Sequence, residues 1–304
     1  MSHVALLYNP IAGKKPSQGF VRTVTEFYNS HGMEVKAFCS DTNWDEYFSS
    51  PHDYKAVLVA GGDGTLNKAV NLMIEHDVDV PIGVVPVGTV NDYAHQLGIP
   101  SNLDDCLKTM IANVTCRSDV GVANGKCFIN VCGVGLFTNG YAEYDKEMKY
   151  RLGKMAYYLQ GIGQLTNLKS CKLRLTTEEE IIEDDFYILL ALNGRSCGGF
   201  RNLAQDACID DGLLEFIGIR KMPLAHIPRI IAKLAAGNIV EDKYTLYLRT
   251  DKMRIERLDV DNDMFIYSDL DGDKAIKLPL EISTMPKALT FLTCDDCSFR
   301  KLPQ

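Results

Sequence analysis

Residues 55–67 read KAVLVAGGDGTLN, and they carry the strongest structural signal in this 304-residue sequence. After Lys55 the run to Ala60 is continuously apolar, which is typical of a strand buried on both faces of a parallel sheet. Gly61-Gly62-Asp63-Gly64 then predicts a turn, and residues 65–76 have the length and periodicity of a helix. A buried strand, a glycine-rich turn and a helix in that order predict an α/β unit.

The same alternation of short apolar runs and helix-length segments surrounds this stretch. Strands are predicted over residues 3–8, 34–38, 55–60 and 81–85, and helices from about 16 to 31 and from 65 to 76. We therefore predict an N-terminal doubly wound α/β domain over residues 1–122. Ligands of such domains bind beyond the carboxyl ends of the strands.

From about residue 119 the strand-like runs follow one another closely, which favours an antiparallel sandwich or barrel. These runs are 119–123, 126–136, 172–177, 186–192, 213–219, 243–250, 265–270 and 275–283, with helices predicted over 152–165 and 223–235. The acidic run 178–185 is interpreted as a solvated hairpin tip. We predict a mainly antiparallel β-sandwich domain over residues 123–289, and a return of residues 290–304 to the first domain stays open.

Composition and charge exclude several classes of protein. The net charge is −8, with 32 Lys and Arg against 40 Asp and Glu, which disfavours nucleic-acid binding. No run approaches the roughly 18 consecutive apolar residues of a membrane span, and no signal peptide is visible. Ten cysteines in such a chain are interpreted as reduced thiols. We therefore expect a cytoplasmic protein with no more than peripheral membrane contact.

Three loops rich in Gly, Thr and Asn follow strands of the first domain. They are 9–15 (NPIAGKK), 61–67 (GGDGTLN) and 86–92 (PVGTVND). Because the carboxyl ends of parallel strands meet at one edge of a sheet, we expect these loops to line one cleft. Glycines let the backbone approach a ligand closely, and the helix after residue 64 offers free N–H groups to a phosphate.

Two acidic residues, Asp63 and Asp92, fall in these loops. A carboxylate about 4 Å from a phosphate charge costs roughly 4 kcal/mol at an effective dielectric of 20. That cost exceeds the roughly 1 kcal/mol that an Asp gains at a helix N-terminus. The pair therefore predicts Mg²⁺ bound through bridging waters. A simple helix cap is the alternative for Asp63.

Taken together, these motifs resemble the diacylglycerol kinase catalytic-domain family, which includes bacterial soluble lipid kinases and the sphingosine and ceramide kinases. The resemblance rests on Asn9-Pro10-x-x-Gly13, on the 61–67 and 86–92 loops, on 207–213 (ACIDDGL) and on Asp271-Gly272-Asp273. It implies that ATP binds between the two domains and that its γ-phosphoryl group passes to a lipid hydroxyl, with diacylglycerol the leading candidate. The implied partner is a lipid at the inner face of the membrane, and a homodimer stays open.

The resemblance also implies roles for individual residues. The implied nucleotide-binding residues are Asn9, Pro10, Gly13, Ser40, Gly61, Gly62, Asp63, Gly64, Thr65, Asn67, Gly88 and Thr89. Ser40 and Thr42 are the nearest candidates for a threonine that the family has after its second strand. Loop 207–213 implies a structural Mg²⁺ on the Asp211 carboxylate and the carbonyls of Cys208 and Leu213, with an Asp-Gly turn as the alternative. Lys14 is the implied contact for an anion or lipid headgroup.

Asp271-Gly272-Asp273 predicts a tight hairpin from its residue types alone. The resemblance assigns the general base to the last position, where the family has Glu and this chain has Asp273. Either Asp271 or Asp273 could face the hydroxyl, and we take Asp273 as the base and Asp271 as a residue that positions the metal or the loop. A weak carboxylate suffices, because the proton leaves late in a loose phosphoryl-transfer transition state.

The sequence is also compatible with other functions. A kinase of NAD shares the GGDGT motif, and a non-catalytic lipid- or nucleotide-binding member of the family would explain the absent Glu at position 273. Residues 194–198 (GRSCG) match the GxSxG motif of serine hydrolases, but the only downstream histidine is His226. The cationic, aromatic-containing segment 146–154 could meet an anionic membrane or form a solvated helix face.

Overall fold

The computed structural model describes residues 2–12, 18–41, 44–49, 53–135, 170–259 and 267–294. The side chains of Ser2, Gln18, Ala235 and Asp273–Ala275 are outside that description. The helix predicted over 152–165 and the cationic segment 146–154 also lie outside it. Among the helices that are described, none is long and apolar enough to cross a membrane.

The described chain contains strands and helices throughout. The strands are β1 (Ser2–Tyr8), β2 (Met33–Cys39), β3 (Tyr54–Gly61), β4 (Ile82–Pro86), β5 (Val114–Ala123), β6 (Lys126–Phe128), β7 (Val131–Gly135), β8 (Cys171–Thr176), β9 (Ile181–Leu192), β10 (Leu214–Arg220), β11 (Thr245–Thr250), β12 (Lys252–Arg257), β13 (Tyr267–Leu270), β14 (Asp273–Lys277) and β15 (Leu280–Thr293). The helices are α1 (Gln18–Ser30), α2 (Trp44–Ser49), α3 (Asp63–Glu75), α4 (Asp92–Gln96), α5 (Leu103–Ala112) and α6 (Ile227–Ala236), with 3₁₀ turns at Leu224–His226 and Ile239–Glu241.

The chain divides into two compact units. The first comprises the residues up to Ser118 together with those from Lys287 onward, and the second comprises Asp119–Pro286. The first unit is therefore discontinuous in sequence.

The first unit is built on a parallel sheet with the strand order β2-β1-β3-β4-β15. The predicted parallel α/β class is confirmed. Strand β3 is buried from Ala56 onward and β4 along its whole length, as the apolar run that follows Lys55 predicts. Because β2 lies on one side of β1 and β3 and β4 lie on the other, the strand order reverses between β1 and β3. In doubly wound sheets this switch point is where a ligand crevice forms.

Local signals explain the helix that follows β3. It begins at Asp63, two residues earlier than predicted, because Gly62 is its N-cap and the Leu66 N–H donates to the Gly62 carbonyl at 3.0 Å. The sequence prediction missed α5 altogether. That helix is capped by the Asn102 side chain, which accepts from the Asp105 N–H, and it ends at Asn113 in the left-handed conformation.

The second unit is antiparallel wherever its strand pairings are described, which confirms the predicted sandwich class. Strand β9 is its central element, because β8 pairs with its first half while β7 and β10 pair with its second half. Side chains that alternate along β8 and β12 are buried in one core cluster with Phe186 and Phe216. A second cluster packs α6 against Ile217 and Leu192.

Three predictions about this unit were wrong. In its described part, the predicted strand 126–136 is two strands, β6 and β7. The acidic run 178–185 is not a hairpin tip over its whole length, because β9 already begins at Ile181. Glu183 and Asp184 are strand residues whose charges pair with Arg174 and Arg220. The predicted strand 275–283 is two strands, because Leu278 and Pro279 separate the end of β14 from the start of β15.

Candidate functional site

The loops after β1 and β3 meet at the switch point of the parallel sheet. The Asn9 side-chain amide donates to the Thr65 hydroxyl at 3.2 Å, and the Asn9 backbone N–H donates to the Ala60 carbonyl. The Asn9 carboxamide oxygen in turn accepts from the Ile11 N–H, which turns the chain at Pro10. Two of the three predicted loops are therefore joined by their own polar side chains.

The loops after β3 and β4 are also joined. The Asp63 carboxylate accepts from the Tyr93 N–H at 3.1 Å, so it bonds the first turn of α4. The Val87 and Gly88 amides both donate to the Gly61 carbonyl at 3.2 Å. All three predicted loops thus lie together at one edge of the sheet, as the sequence indicated.

The glycines of these loops differ in whether neighbouring atoms leave room for a side chain. A Cβ at Gly88 would lie 2.4 Å from the Gly62 Cα, so close packing between two loops excludes a side chain there. A Cβ at Gly61 would lie 2.3 Å from the Thr65 Cβ, so packing within its own loop excludes a side chain at Gly61. Gly64 is exposed, and a Cβ on it would meet no atom of the described residues within 4 Å. Packing against the described part of the chain therefore does not explain the absence of a side chain at Gly64.

The remaining predicted residues lie around the same edge or outside the described chain. Ser40 follows β2, where its N–H donates to the Tyr8 carbonyl and its hydroxyl to Asp41. Asn67 is buried in α3 and accepts from the Asn71 amide, while Thr89 is exposed in the loop after β4. Three of the predicted residues, Gly13, Lys14 and Thr42, lie outside the described residues.

This edge combines amide donors with buried acids. The first amides of α3 lack intrahelical partners because the helix begins there, and its N-cap Gly62 provides no side-chain cap. Asp63 and Asp92 are 8% and 6% exposed, so each of two adjoining loops contributes one buried carboxyl side chain to this edge. Amide donors suit phosphate oxygens, and paired carboxylates suit a divalent cation that accompanies them. The residues present fit the predicted Mg²⁺–nucleotide complex.

The 271–273 hairpin lies in the second unit and has the predicted geometry. Asp271 and Gly272 both have positive φ, 51° and 98°, as a type I′ turn between β13 and β14 requires. The buried Asp271 carboxylate accepts from three consecutive backbone N–H groups, those of residues 129–131, at 2.7, 3.0 and 2.9 Å. These contacts give Asp271 a role in anchoring the loop. The side chain of Asp273 lies outside the described residues.

The Asp-Asp-Gly loop gives its predicted metal ligand other partners. One Asp211 carboxylate oxygen accepts from the Leu213 N–H at 3.0 Å, and the other pairs with the Arg249 guanidinium at 2.7 Å. The same Arg249 pairs with the buried Glu215, and burial raises the pKa of Glu215. The Cys208 thiol donates to Asp210. The predicted Asp-Gly turn is present, and a structural Mg²⁺ on Asp211 with the carbonyls of Cys208 and Leu213 stays a prediction.

Sequence reasoning missed two polar residues beside these loops. Asp119 is fully buried, and its carboxylate accepts from the Gly212 N–H at 2.6 Å. Asn193 is 1% exposed, and its side-chain amide donates to the carbonyls of Asp119 and Ile129. In the sequence, each of these two residues is only a single polar side chain next to an apolar run, which does not by itself predict a buried polar contact.

Comparison with known proteins agrees with this arrangement. A model of the diacylglycerol kinase catalytic domain matches residues 3–123, and a model of the YegS C-terminal NAD kinase beta sandwich-like domain matches residues 134–293. A diacylglycerol kinase of Bacillus subtilis is 29% identical over 92% of this chain and 93% of its own length. A diacylglycerol kinase of Staphylococcus carnosus is 27% identical over 98% and 97%.

A solved structure extends the comparison to the fold. The crystal structure of a diacylglycerol kinase from Bacillus anthracis superposes with a TM-score of 0.77 at 23% identity, over 97% of this chain and 98% of the other. The two family models follow one another along this chain and together span nearly all of it. The chain therefore belongs to the diacylglycerol kinase catalytic-domain family.

Proposed function

We propose that the chain is an ATP-dependent lipid kinase that transfers the γ-phosphoryl group of Mg²⁺-ATP to a lipid hydroxyl, with diacylglycerol as the leading candidate. The convergence of three loops at the switch point of the parallel sheet carries this proposal. Asn9 joins the first loop to Thr65, and Asp63 joins the second to Tyr93. The relatives from B. subtilis and S. carnosus, which are named diacylglycerol kinases, support the choice of acceptor.

The open space at Gly64 adds a physical argument for a nucleotide. Gly64 is the second residue of α3, its φ is not positive, and none of the residues that the structure describes would lie within 4 Å of a Cβ there. A helix position of this kind favours alanine by about 1 kcal/mol over glycine. The absence of a side chain is explained if a phosphate group lies against this turn, because a Cβ would hold the phosphate away from the amides.

In this mechanism each part of the chain has a defined task. The amides at the start of α3 bind phosphate oxygens. Asp63 and Asp92 would hold the Mg²⁺ that accompanies the nucleotide, and that ion would neutralise phosphate charge. Asp273 orients the lipid hydroxyl and accepts its proton late, as a loose transition state allows. Asp271 anchors the hairpin that carries Asp273. No step depends on a metal at Asp211.

The test is incubation with ATP labelled at the γ-phosphate, Mg²⁺ and a panel of emulsified lipids, with NAD in a parallel reaction. We expect label in the organic phase, strongest with diacylglycerol. Label on NAD would favour the alternative kinase, and binding of Mg²⁺-ATP without transfer to any lipid would favour a non-catalytic member of the family.

We also propose that the protein is cytoplasmic and contacts the inner face of the membrane transiently, because its acceptor is a membrane lipid. Flotation with vesicles that contain or lack anionic lipid measures this contact. We expect weak binding that increases with the anionic lipid and that falls when Lys14 is replaced by Gln.

A further inference from the structure

Tyr93 is held at three points inside the first unit. Its backbone N–H donates to the Asp63 carboxylate at 3.1 Å, and its hydroxyl shares a hydrogen bond with the Ser118 hydroxyl at 2.6 Å. Its ring contacts the Phe291 ring, with the two centroids 4.9 Å apart. All four side chains are buried. One residue of α4 is therefore connected to the start of α3, to β5 and to β15.

Helix α4 has little stability of its own. It contains only the five residues Asp92–Gln96, and its N-cap Asn91 is left-handed and provides no side-chain cap. An isolated helix shorter than about 12 residues is marginal in water, so tertiary contacts must fix where α4 lies. The contacts of Tyr93 are among them, together with the bond from the Thr293 hydroxyl to the Leu97 carbonyl at 2.8 Å.

The two carboxylates of the candidate metal site both depend on Tyr93. Asp92 precedes it directly in the chain, and Asp63 accepts from its backbone N–H. A shift of α4 would therefore move one carboxylate and lengthen a hydrogen bond that orients the other. Because the attraction between a carboxylate and a cation falls with their distance, such a shift would weaken the binding of a divalent ion.

We propose that Tyr93 is a positioning residue for the metal-bound nucleotide, and that its bond to Ser118 sets the spacing of Asp63 and Asp92. This inference deepens the proposed function and rests on it, because the ion is the Mg²⁺ that accompanies ATP. Ser118 lies on β5, outside the three loops, so its hydroxyl anchors α4 to a strand. Tyr93 acts through the two carboxylates that it positions.

The test deletes the same hydrogen bond from either side. Tyr93→Phe keeps the ring and the backbone N–H, and Ser118→Ala keeps Tyr93 itself. Because both changes remove one bond, the double variant should behave like either single variant. Tyr187→Phe is the matched control, since it removes a buried hydroxyl that donates to the Met222 carbonyl at 3.2 Å in the second unit.

Calorimetric titration with ATP, once in excess Mg²⁺ and once in EDTA, measures how much the ion adds to nucleotide affinity. Moving one carboxylate from about 4 to about 5 Å from a doubly charged ion weakens binding by about 10- to 20-fold at an effective dielectric of 20. We therefore expect Tyr93→Phe and Ser118→Ala to lower the affinity for ATP in Mg²⁺ by roughly tenfold. Their affinity for ATP in EDTA should match that of the wild type, and Tyr187→Phe should change neither affinity.

Hydrogen exchange without nucleotide or metal reports on α4 directly. The Leu97 N–H donates to the Tyr93 carbonyl at 3.0 Å, so its exchange measures how often this helix opens. In Tyr93→Phe and Ser118→Ala we expect faster exchange in peptides covering 91–97. In Tyr187→Phe the same peptides should exchange as in the wild type.

The outcomes separate this inference from the proposed function. Loss of affinity in Mg²⁺ alone, together with faster exchange in α4, supports the inference. Wild-type affinity for Mg²⁺-ATP in both Tyr93→Phe and Ser118→Ala, or an equal loss in Tyr187→Phe, overturns the inference alone. A wild type whose ATP affinity is the same in Mg²⁺ and in EDTA contradicts the Mg²⁺-nucleotide complex of the proposed function, and this inference with it.

Discussion

Among single residues, Gly64 and Gly88 differ in a way that separates the needs of the ligand from those of the fold. Among the described residues a Cβ at Gly64 would meet no atom within 4 Å, whereas a Cβ at Gly88 would lie 2.4 Å from the Gly62 Cα. We therefore expect Gly64→Ala to raise the free energy of unfolding by up to about 1 kcal/mol, because alanine favours a helix. The same change should weaken ATP binding at least about tenfold, which is 1.4 kcal/mol.

Gly88→Ala is the matched control for that substitution. Overlap with backbone atoms cannot be relieved by a side-chain rotation, so we expect it to destabilise the protein by about 1–3 kcal/mol. Urea unfolding and calorimetric titration with ATP measure the two effects separately. Unchanged ATP affinity in Gly64→Ala would contradict the placement of a phosphate at this turn.

The proposed base is tested at Asp273. Asn at this position keeps the size of the side chain but cannot accept a proton, so we expect Asp273→Asn to lower kcat by about 10²- to 10⁴-fold. Affinity for Mg²⁺-ATP should not change, since the nucleotide loops lie in the other unit. Asp273→Glu, which introduces the family's usual residue, is the active control. An Asp273→Asn protein with wild-type kcat would show that the base lies elsewhere.

Residue-level prediction succeeded where the chemistry is local. The Asp-Gly hairpin followed from residue types that tolerate positive φ. Asp63 was less predictable, because its partner, the Tyr93 N–H, is 30 residues away and no local pattern indicates it. The pairing of Asp211 with Arg249 could not be predicted either, because the two residues are 38 positions apart in the sequence.

Among the elements, α6 is held by a buried carboxylate. The Asp242 side chain is fully buried and pairs with Arg229 at 2.7 Å and Lys233 at 3.3 Å, both on α6. Burial by itself would raise the pKa of Asp242, but the Tyr244 N–H and the two cations outweigh it. The pKa of Asp242 therefore lies below its ordinary value of 3.8 in the folded protein.

A lowered carboxyl pKa stabilises the fold above the unfolded pKa, and this contribution is lost as the pH falls through the folded pKa. We expect Asp242→Asn to lower the free energy of unfolding by about 1.5–3 kcal/mol at pH 7. The difference from wild type should narrow as the pH falls below 3.8, the ordinary value. Urea unfolding at several pH values measures it. Glu26→Gln, which removes an exposed ion pair with Arg22, is the control and should change the free energy of unfolding at pH 7 much less than Asp242→Asn does.

Elements were predictable where one periodicity dominates. Strand β12 had a clear signal, with charged residues alternating with the buried Met253 and Ile255, and was overlooked. Helix α5 had a clear signal, with Leu103, Cys106, Leu107 and Met110 at helical spacing after Asn102, and was overlooked. The prediction of a hairpin tip over 178–185 was wrong because it relied on the acidic composition of the run. The pairing of Glu183 with Arg174 on the neighbouring strand is not visible in that composition.

For the whole molecule, the discontinuous first unit makes the last described strand, β15, part of the parallel sheet. Phe291 pairs with Ile82 in β4 and lies 4.9 Å from the Tyr93 ring, and the Thr293 hydroxyl donates to the Leu97 carbonyl at 2.8 Å. Phe291 and Leu292 are almost fully buried. Which strand completes a sheet is a long-range choice, so local periodicity cannot predict that β15 lies beside β4.

This arrangement predicts how fragments behave. A fragment of residues 1–118 lacks Leu289, Phe291 and Leu292, which are buried in the intact first unit. Loss of each such side chain costs about 2–5 kcal/mol, and the total is comparable to the whole stability of a domain, about 5–15 kcal/mol. We expect this fragment to show no cooperative thermal transition by circular dichroism. Joining residues 287–304 to it through a flexible linker should restore the transition and the binding of Mg²⁺-ATP, whereas cooperative unfolding of residues 1–118 alone would contradict a structural role for β15 in this sheet.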